Sequence, residues 1–90
     1  MKVCIIDYGS GNLNSIKNIL NNLEIDNFVT NNDNDIINSS HIILPGVGSY
    51  SNVINKLKEN CNLDVLKNEV LIKKKPFLGI CVGMQILSEF

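Results

Sequence analysis

Ninety residues carry a formal net charge of −1, with 44% apolar side chains and no Arg, which fits one small globular domain at most. That balance excludes a general nucleic-acid binder, which needs a basic face. Residues 3–6 form an apolar run that Asp7 interrupts; this is too short for a signal-peptide core, and no run reaches membrane-helix length, so the expectation is a cytoplasmic protein that does not engage a membrane.

Val3-Cys4-Ile5-Ile6 ends at Asp7-Tyr8-Gly9-Ser10-Gly11-Asn12, which predicts a buried strand and then a turn. Leu13, Ile16, Ile19, Leu20 and Leu23 recur at helical spacing. Phe28-Val29-Thr30 predicts a weaker strand at a sheet edge. Residues 31–40 are polar and turn-rich, with Ile36 and Ile37 on a short helical turn. His41-Ile42-Ile43-Leu44 predicts a second buried strand, stopped by Pro45-Gly46-Val47-Gly48. Val53, Ile54, Leu57 and Cys61 fit one helix face, and Leu63, Leu66 and Val70 a further short helix. Lys73-Lys74-Lys75 reads as a solvated turn ahead of Pro76. Phe77-Leu78-Gly79-Ile80 predicts a third strong strand, and residues 84–90 begin another helix. The 15 Asn residues are scattered among periodic apolar positions, which indicates coding bias and not a low-complexity tract.

Helices alternating with fully apolar strands predict an α/β fold, a three-layer sandwich with a mostly parallel sheet covered on both faces. Ligands of such sheets sit outside the carboxyl ends of the strands. Three loops fall there: residues 7–12, 45–48 and 81–83. No repeat or linker divides residues 1–90.

Gly79-Ile80-Cys81-Val82-Gly83 is a G-x-nucleophile-x-G pattern at a strand-to-helix junction. Such a sharp turn presents its central side chain at the top of the sheet. The N-terminus of the following helix favours a thiolate at Cys81. Cys4, inside a strand, and Cys61, on an apolar helix face, read as structural. The three cysteines have no metal spacing, so no metal site is expected. The glycines of Pro45-Gly46-Val47-Gly48 let backbone N–H groups turn toward a ligand. The N–H groups of Val47 and Val82 together could form an oxyanion hole for attack by Cys81. Gly9-Ser10-Gly11 is no dinucleotide fingerprint, because Asn14 stands where the third glycine belongs. His41 is the single histidine. It opens a strand at the end away from the expected site, so it reads as structural. The chain thus holds a nucleophile and no credible base.

Asp7-Tyr8-Gly9-Ser10-Gly11-Asn12-Leu13, Leu44-Pro45-Gly46-Val47-Gly48 and Gly79-Ile80-Cys81-Val82-Gly83-Met84-Gln85 together resemble the class I glutamine amidotransferases. Within that family the Pro-Gly-Val-Gly form and the Asp-Tyr-Gly-x-Gly-Asn start are similar to the glutaminase subunits of imidazole glycerol phosphate synthase, in histidine biosynthesis. The resemblance implies a flavodoxin-like fold, no cofactor, and glutamine as substrate. It implies Cys81 as nucleophile, Val47 and Val82 as oxyanion-hole donors, and Gly46, Gly48 and Gln85 as groups that hold glutamine. It also implies a (β/α) barrel synthase subunit as heterodimer partner, with Asn12 at the interface, and a peptide flip of the Pro-Gly-Val-Gly loop before catalysis.

Members of the family carry the His and Glu of the catalytic triad far downstream of the nucleophile. Here nine residues follow Cys81. The expectation is therefore the N-terminal half of a single amidotransferase domain, inactive and marginally stable alone. Three other readings compete. One is a paralogue feeding ammonia to another synthase, such as one that aminates a surface-polysaccharide sugar. Another is a Cys hydrolase of the wider superfamily, and the third is a flavodoxin-like module holding FMN.

Overall fold

Val3, Cys4, Ile5 and Ile6 are all buried in the first strand, β1 (Lys2–Ile6). An apolar run of this kind, buried on both faces, suits the centre of a parallel sheet. The structure, a computed structural model, describes residues 1–9, 13–45 and 50–79. After β1 come α1 (Leu13–Asn22), β2 (Asp26–Thr30), α2 (Asp33–Asn38), β3 (His41–Leu44), α3 (Tyr50–Asn60) and α4 (Leu63–Lys67). A π-helical turn, Asn68–Ile72, then leads to β4 (Phe77–Gly79). The four described strands form one all-parallel sheet in the order β2-β1-β3-β4. This is the flavodoxin-like order, with β2 at an edge as its weaker pattern predicts.

Two apolar layers flank the sheet. Cys4, Ile6, Ile42 and Leu44 face Ile36 of α2, Val53, Ile54 and Leu57 of α3, and Leu66 of α4. Val3, Ile5 and Ile43 face Leu20 of α1, with Leu13 and Ile16 beside it. Right-handed crossovers explain the split. The chain moves one way from β1 to β2 and the other way from β3 to β4, so their helices fall on opposite faces. Cover on the α1 face is incomplete among the described residues. Leu78 on β4 is 55% exposed, and Ile19 and Leu23 of the expected α1 stripe are 59% and 63% exposed. That stripe is wider than the strip of β1 and β2 on which α1 sits.

Asparagine supplies several of the stops and starts. Asn32 caps α2 by accepting from the N–H groups of Asn34 and Asp35, and Asn62 caps α4 through those of Asp64 and Val65. Helix α1 ends with Glu24 at φ 58° and a bond from Ile25 N–H to Leu20 O of 2.9 Å. That is the left-handed cap that glycine fills at lower cost.

Lys75 departs from the expected solvated turn, in which Lys73 and Lys74 stay exposed. Glu69 is buried in the π-helical turn at 1% exposure, with Lys73 Nζ 2.8 Å from Oε2 and Lys75 Nζ 2.7 Å from Oε1. Lys75 also donates to the carbonyls of Ile36 (2.9 Å) and Ile37 (3.0 Å), which ties the end of α2 to the turn before β4. The wide turn carries Glu69 inward, while Val70, the residue of the apolar pattern, is only half-buried. Burial works to raise the Glu69 carboxyl, but hydrogen bonds and charge from Lys73 and Lys75 outweigh it and hold the group below its ordinary value.

Two stability outcomes follow from these contacts. In the complete gene product, Glu24→Gly should raise stability by about 0.5–1 kcal/mol, read as a higher melting temperature. Glu69→Gln should cost about 3 kcal/mol at neutral pH, because it strips the partner from a buried cation. A lowered folded-state pKa stabilises fully above the ordinary carboxylate value of about 4.3, and that contribution is lost as pH falls below it. Denaturation at pH 7 and at about pH 3 should therefore show the gap between wild type and variant closing in acid.

Candidate active site

The carboxyl edge of the sheet is level across its strands. The register pairs Ile6 with Thr30, Ile5 with Ile43, and Leu44 with Gly79. Neighbouring strands lie about 4.8 Å apart. The chain therefore leaves the sheet side by side after Ile6, after Leu44 and after Gly79. Between β1 and β3 the direction of winding reverses, which makes this the switch point where open α/β sheets bind ligands.

The first loop is braced from several sides. Asp7 N–H donates to Thr30 O at 2.9 Å, and Gly9 N–H donates to Asp7 Oδ1 at 3.0 Å in an Asx turn. Gly9 sits at φ 91°, a conformation open to glycine. Asn60, at the end of α3, donates from Nδ2 to Tyr8 O at 3.0 Å and to Lys56 O at 2.9 Å. The Cys61 sulfur lies 3.9 Å from Asp7 O. Tyr8 is fully buried, and its hydroxyl donates to the carbonyl of Pro45, itself buried. One side chain thus spans the switch point, from the loop after β1 to the residue after β3.

The expected site residues stand differently. Asn12, Gly46, Val47, Gly48, Cys81, Val82 and Gln85 lie outside the described residues. The described backbone brings together the places from which their segments depart: Gly9, Pro45 and Gly79. His41 lies at the opposite edge, where it begins β3, with Nδ1 2.8 Å from Ser40 Oγ. Three strand steps separate it from Leu44, roughly 10 Å. That edge position agrees with a structural His41.

Cys4 and Cys61 behave as structural thiols. Cys4 is fully buried, and burial, assisted by the charge of Asp35, pushes its thiol up to about 12. Burial and the carboxylates of Asp7 and Asp33 push Cys61 up to about 11. Neither forms a thiolate near neutral pH, and the thiolate is the nucleophile. Tyr8 and Asn60 are the residues that sequence reasoning missed. A tyrosine two positions past a strand end, ahead of glycine, is the available signal, since a buried hydroxyl must find a partner.

The model of the glutamine amidotransferase class-I family matches residues 4–90. The chain belongs to the class I glutamine amidotransferases. It is 41% identical over 87 residues to imidazole glycerol phosphate synthase subunit HisH 1 of Campylobacter jejuni, covering 97% of this chain and 43% of that protein. It is 45% identical over 85 residues to the HisH subunit of Leptospira interrogans, covering 94% of this chain and 42% of that one. With HisH 2 of Methanococcus maripaludis the identity is 43% over 87 residues, 97% and 43% of the two chains. The amidotransferase chain spans less than half the length of these curated relatives. Among its described residues no helix is long and apolar enough to cross a membrane.

Iodoacetamide at pH 7.5 should leave Cys4 and Cys61 of the folded protein unmodified, and both should react once denaturant is added. Peptide mapping by mass spectrometry reads this directly.

Proposed function

We propose that this chain is the nucleophile-bearing half of a glutaminase subunit of imidazole glycerol phosphate synthase, in which Cys81 attacks the side-chain amide of glutamine. The observation that carries this reading is the pairing of Leu44 with Gly79. It starts the Pro-Gly-Val-Gly segment and the Gly-Ile-Cys-Val-Gly segment from adjacent strands at the ligand edge of a class I amidotransferase sheet.

The Cys81 sulfur adds to the amide carbon, and the carbonyl electron pair moves onto oxygen. N–H groups of Val47 and Val82 hold that oxyanion. Collapse of the adduct breaks the C–N bond, and the nitrogen leaves as ammonia after taking the proton that the thiol gave up. A glutamyl thioester remains, and water hydrolyses it to glutamate. Gly46, Gly48 and Gln85 hold the glutamine. The base that carries the proton is a His, oriented by a Glu, from residues beyond Phe90. His41, at the far edge of β3, does not serve. Ammonia passes to a (β/α) barrel synthase subunit that docks near Asn12, and the complex works in the cytoplasm.

Two of the relatives bear copy numbers in their names, HisH 1 and HisH 2. This favours keeping a second reading, a paralogue that supplies ammonia to another synthase. The partner that co-purifies separates the two.

The test uses the complete gene product with its partner. Wild type should release ammonia from glutamine, and Cys81→Ala should lower kcat at least about a thousandfold. A glutamine-mimicking diazoketone should label Cys81, with glutamine protecting it. Unimpaired turnover by Cys81→Ala, or labelling that glutamine fails to slow, sinks the proposal.

A further inference from the structure

We infer that Tyr8 is a positioning residue of this site, whose hydroxyl fixes the carbonyl from which the Gly46-Val47-Gly48 stretch departs. The inference rests on the glutaminase reading above, because it gives that stretch an oxyanion-binding task.

The geometry runs through a buried strut. The Tyr8 ring is fully buried, and its hydroxyl donates to Pro45 O. Its own carbonyl is pinned by Asn60 Nδ2 at 3.0 Å, and Asn60 is in turn fixed on α3 by the Lys56 carbonyl at 2.9 Å. Both ends of the residue are therefore held, one by the end of α3 and one by the root of the segment after β3. Pro45 adds its own constraint: its φ is locked by the ring. A peptide unit is planar, so a carbonyl held on one side sets the plane through which the chain leaves Pro45. Glycine as a residue type has a wide choice of torsions, so the aim of an N–H in a glycine-containing stretch gains from a fixed root. The hydroxyl reaches across the β1/β3 switch point to supply that fixed root. A phenylalanine in its place would fill the same space without the hydroxyl's bond to that carbonyl.

The test compares wild type, Tyr8→Phe and Asn60→Ala in the complete gene product with its partner. Hydrogen–deuterium exchange is followed on peptides spanning residues 45–50, beside kcat and KM for glutamine and the melting temperature. In Tyr8→Phe, exchange of these peptides should quicken by about tenfold while β1 and β3 stay protected, as expected for loss of one buried hydrogen bond. Its kcat should fall by about tenfold with KM within about twofold, the signature of an interaction lost only in the transition state. Asn60→Ala should shift kcat in the same direction by a smaller factor. Unchanged exchange overturns the tether. Faster exchange with unchanged kcat overturns the positioning role, since a merely structural brace would act that way. If wild type itself does not hydrolyse glutamine, the glutaminase reading fails on its own, and the positioning role falls with it even where exchange reports the tether.

Discussion

Parallel strands cannot be joined by a tight turn, so each connection must leave the sheet at the carboxyl edge and return to the amino edge. Everything placed at the candidate site follows from that constraint. The ends of β1, β3 and β4 open at one edge, where Ile6, Leu44 and Gly79 hand over to their loops. The beginnings of the same strands open at the other edge, and His41 is there. A histidine at that position cannot serve a nucleophile presented at the opposite edge without crossing the sheet. The same constraint sets the helices. With β1 leading to one side and β3 to the other, right-handed crossovers place α1 and α3 on opposite faces. The winding reverses between β1 and β3, and Gly9 and Pro45 follow those two strands beside that point.

Much of this was legible in the residues. Val3, Cys4, Ile5 and Ile6 have no polar alternation, which only a strand covered on both faces tolerates, and β1 lies in the middle of the described sheet. Pro45 marked the end of β3 because it cannot extend a central ladder. What was not legible lies in partners distant along the chain. Lys75 looked like solvent-facing charge, yet Glu69, six residues earlier, turns inward and pairs with it. Local pattern reads exposure from residue type, and a charge made tolerable by a buried counter-charge escapes that rule. Tyr8 escaped for the same reason, since its partner Pro45 is 37 positions away. The face of α1 was overdrawn, because periodicity reports a stripe and says nothing of how much sheet lies beneath it.

The cysteines show how environment divides one side-chain chemistry into separate roles. Cys4 in β1 is packed among Ile6, Ile42 and Leu44, and Cys61 stands near Asp7 and Asp33. Burial is the larger cause at both, with the charge of Asp35 added at Cys4 and that of Asp7 and Asp33 at Cys61, and each penalises a thiolate. On the proposed reading the motif around Cys81 offers the reverse: its sequence has glycines on both sides and a helical pattern following, and a helix start favours negative charge. On the proposed reading, a single reactive thiol is then selected by position in the fold.

On the same reading, reactivity also depends on what holds the segment proposed to bind the oxyanion. A glycine-rich stretch has a wide choice of conformations, and each conformation that misaims an N–H lowers the fraction of molecules able to react. The fold can narrow the choice at the ends of the stretch. At the near end it does so with Pro45, which fixes one torsion, and with the Tyr8 hydroxyl, which holds the carbonyl. Tyr8 is in turn held by Asn60, so the accuracy of that end is inherited from the end of α3. The loop after β1 therefore has a structural task on the glutaminase reading besides any contact with a partner, and a disturbance of that loop would reach Pro45 through one buried side chain.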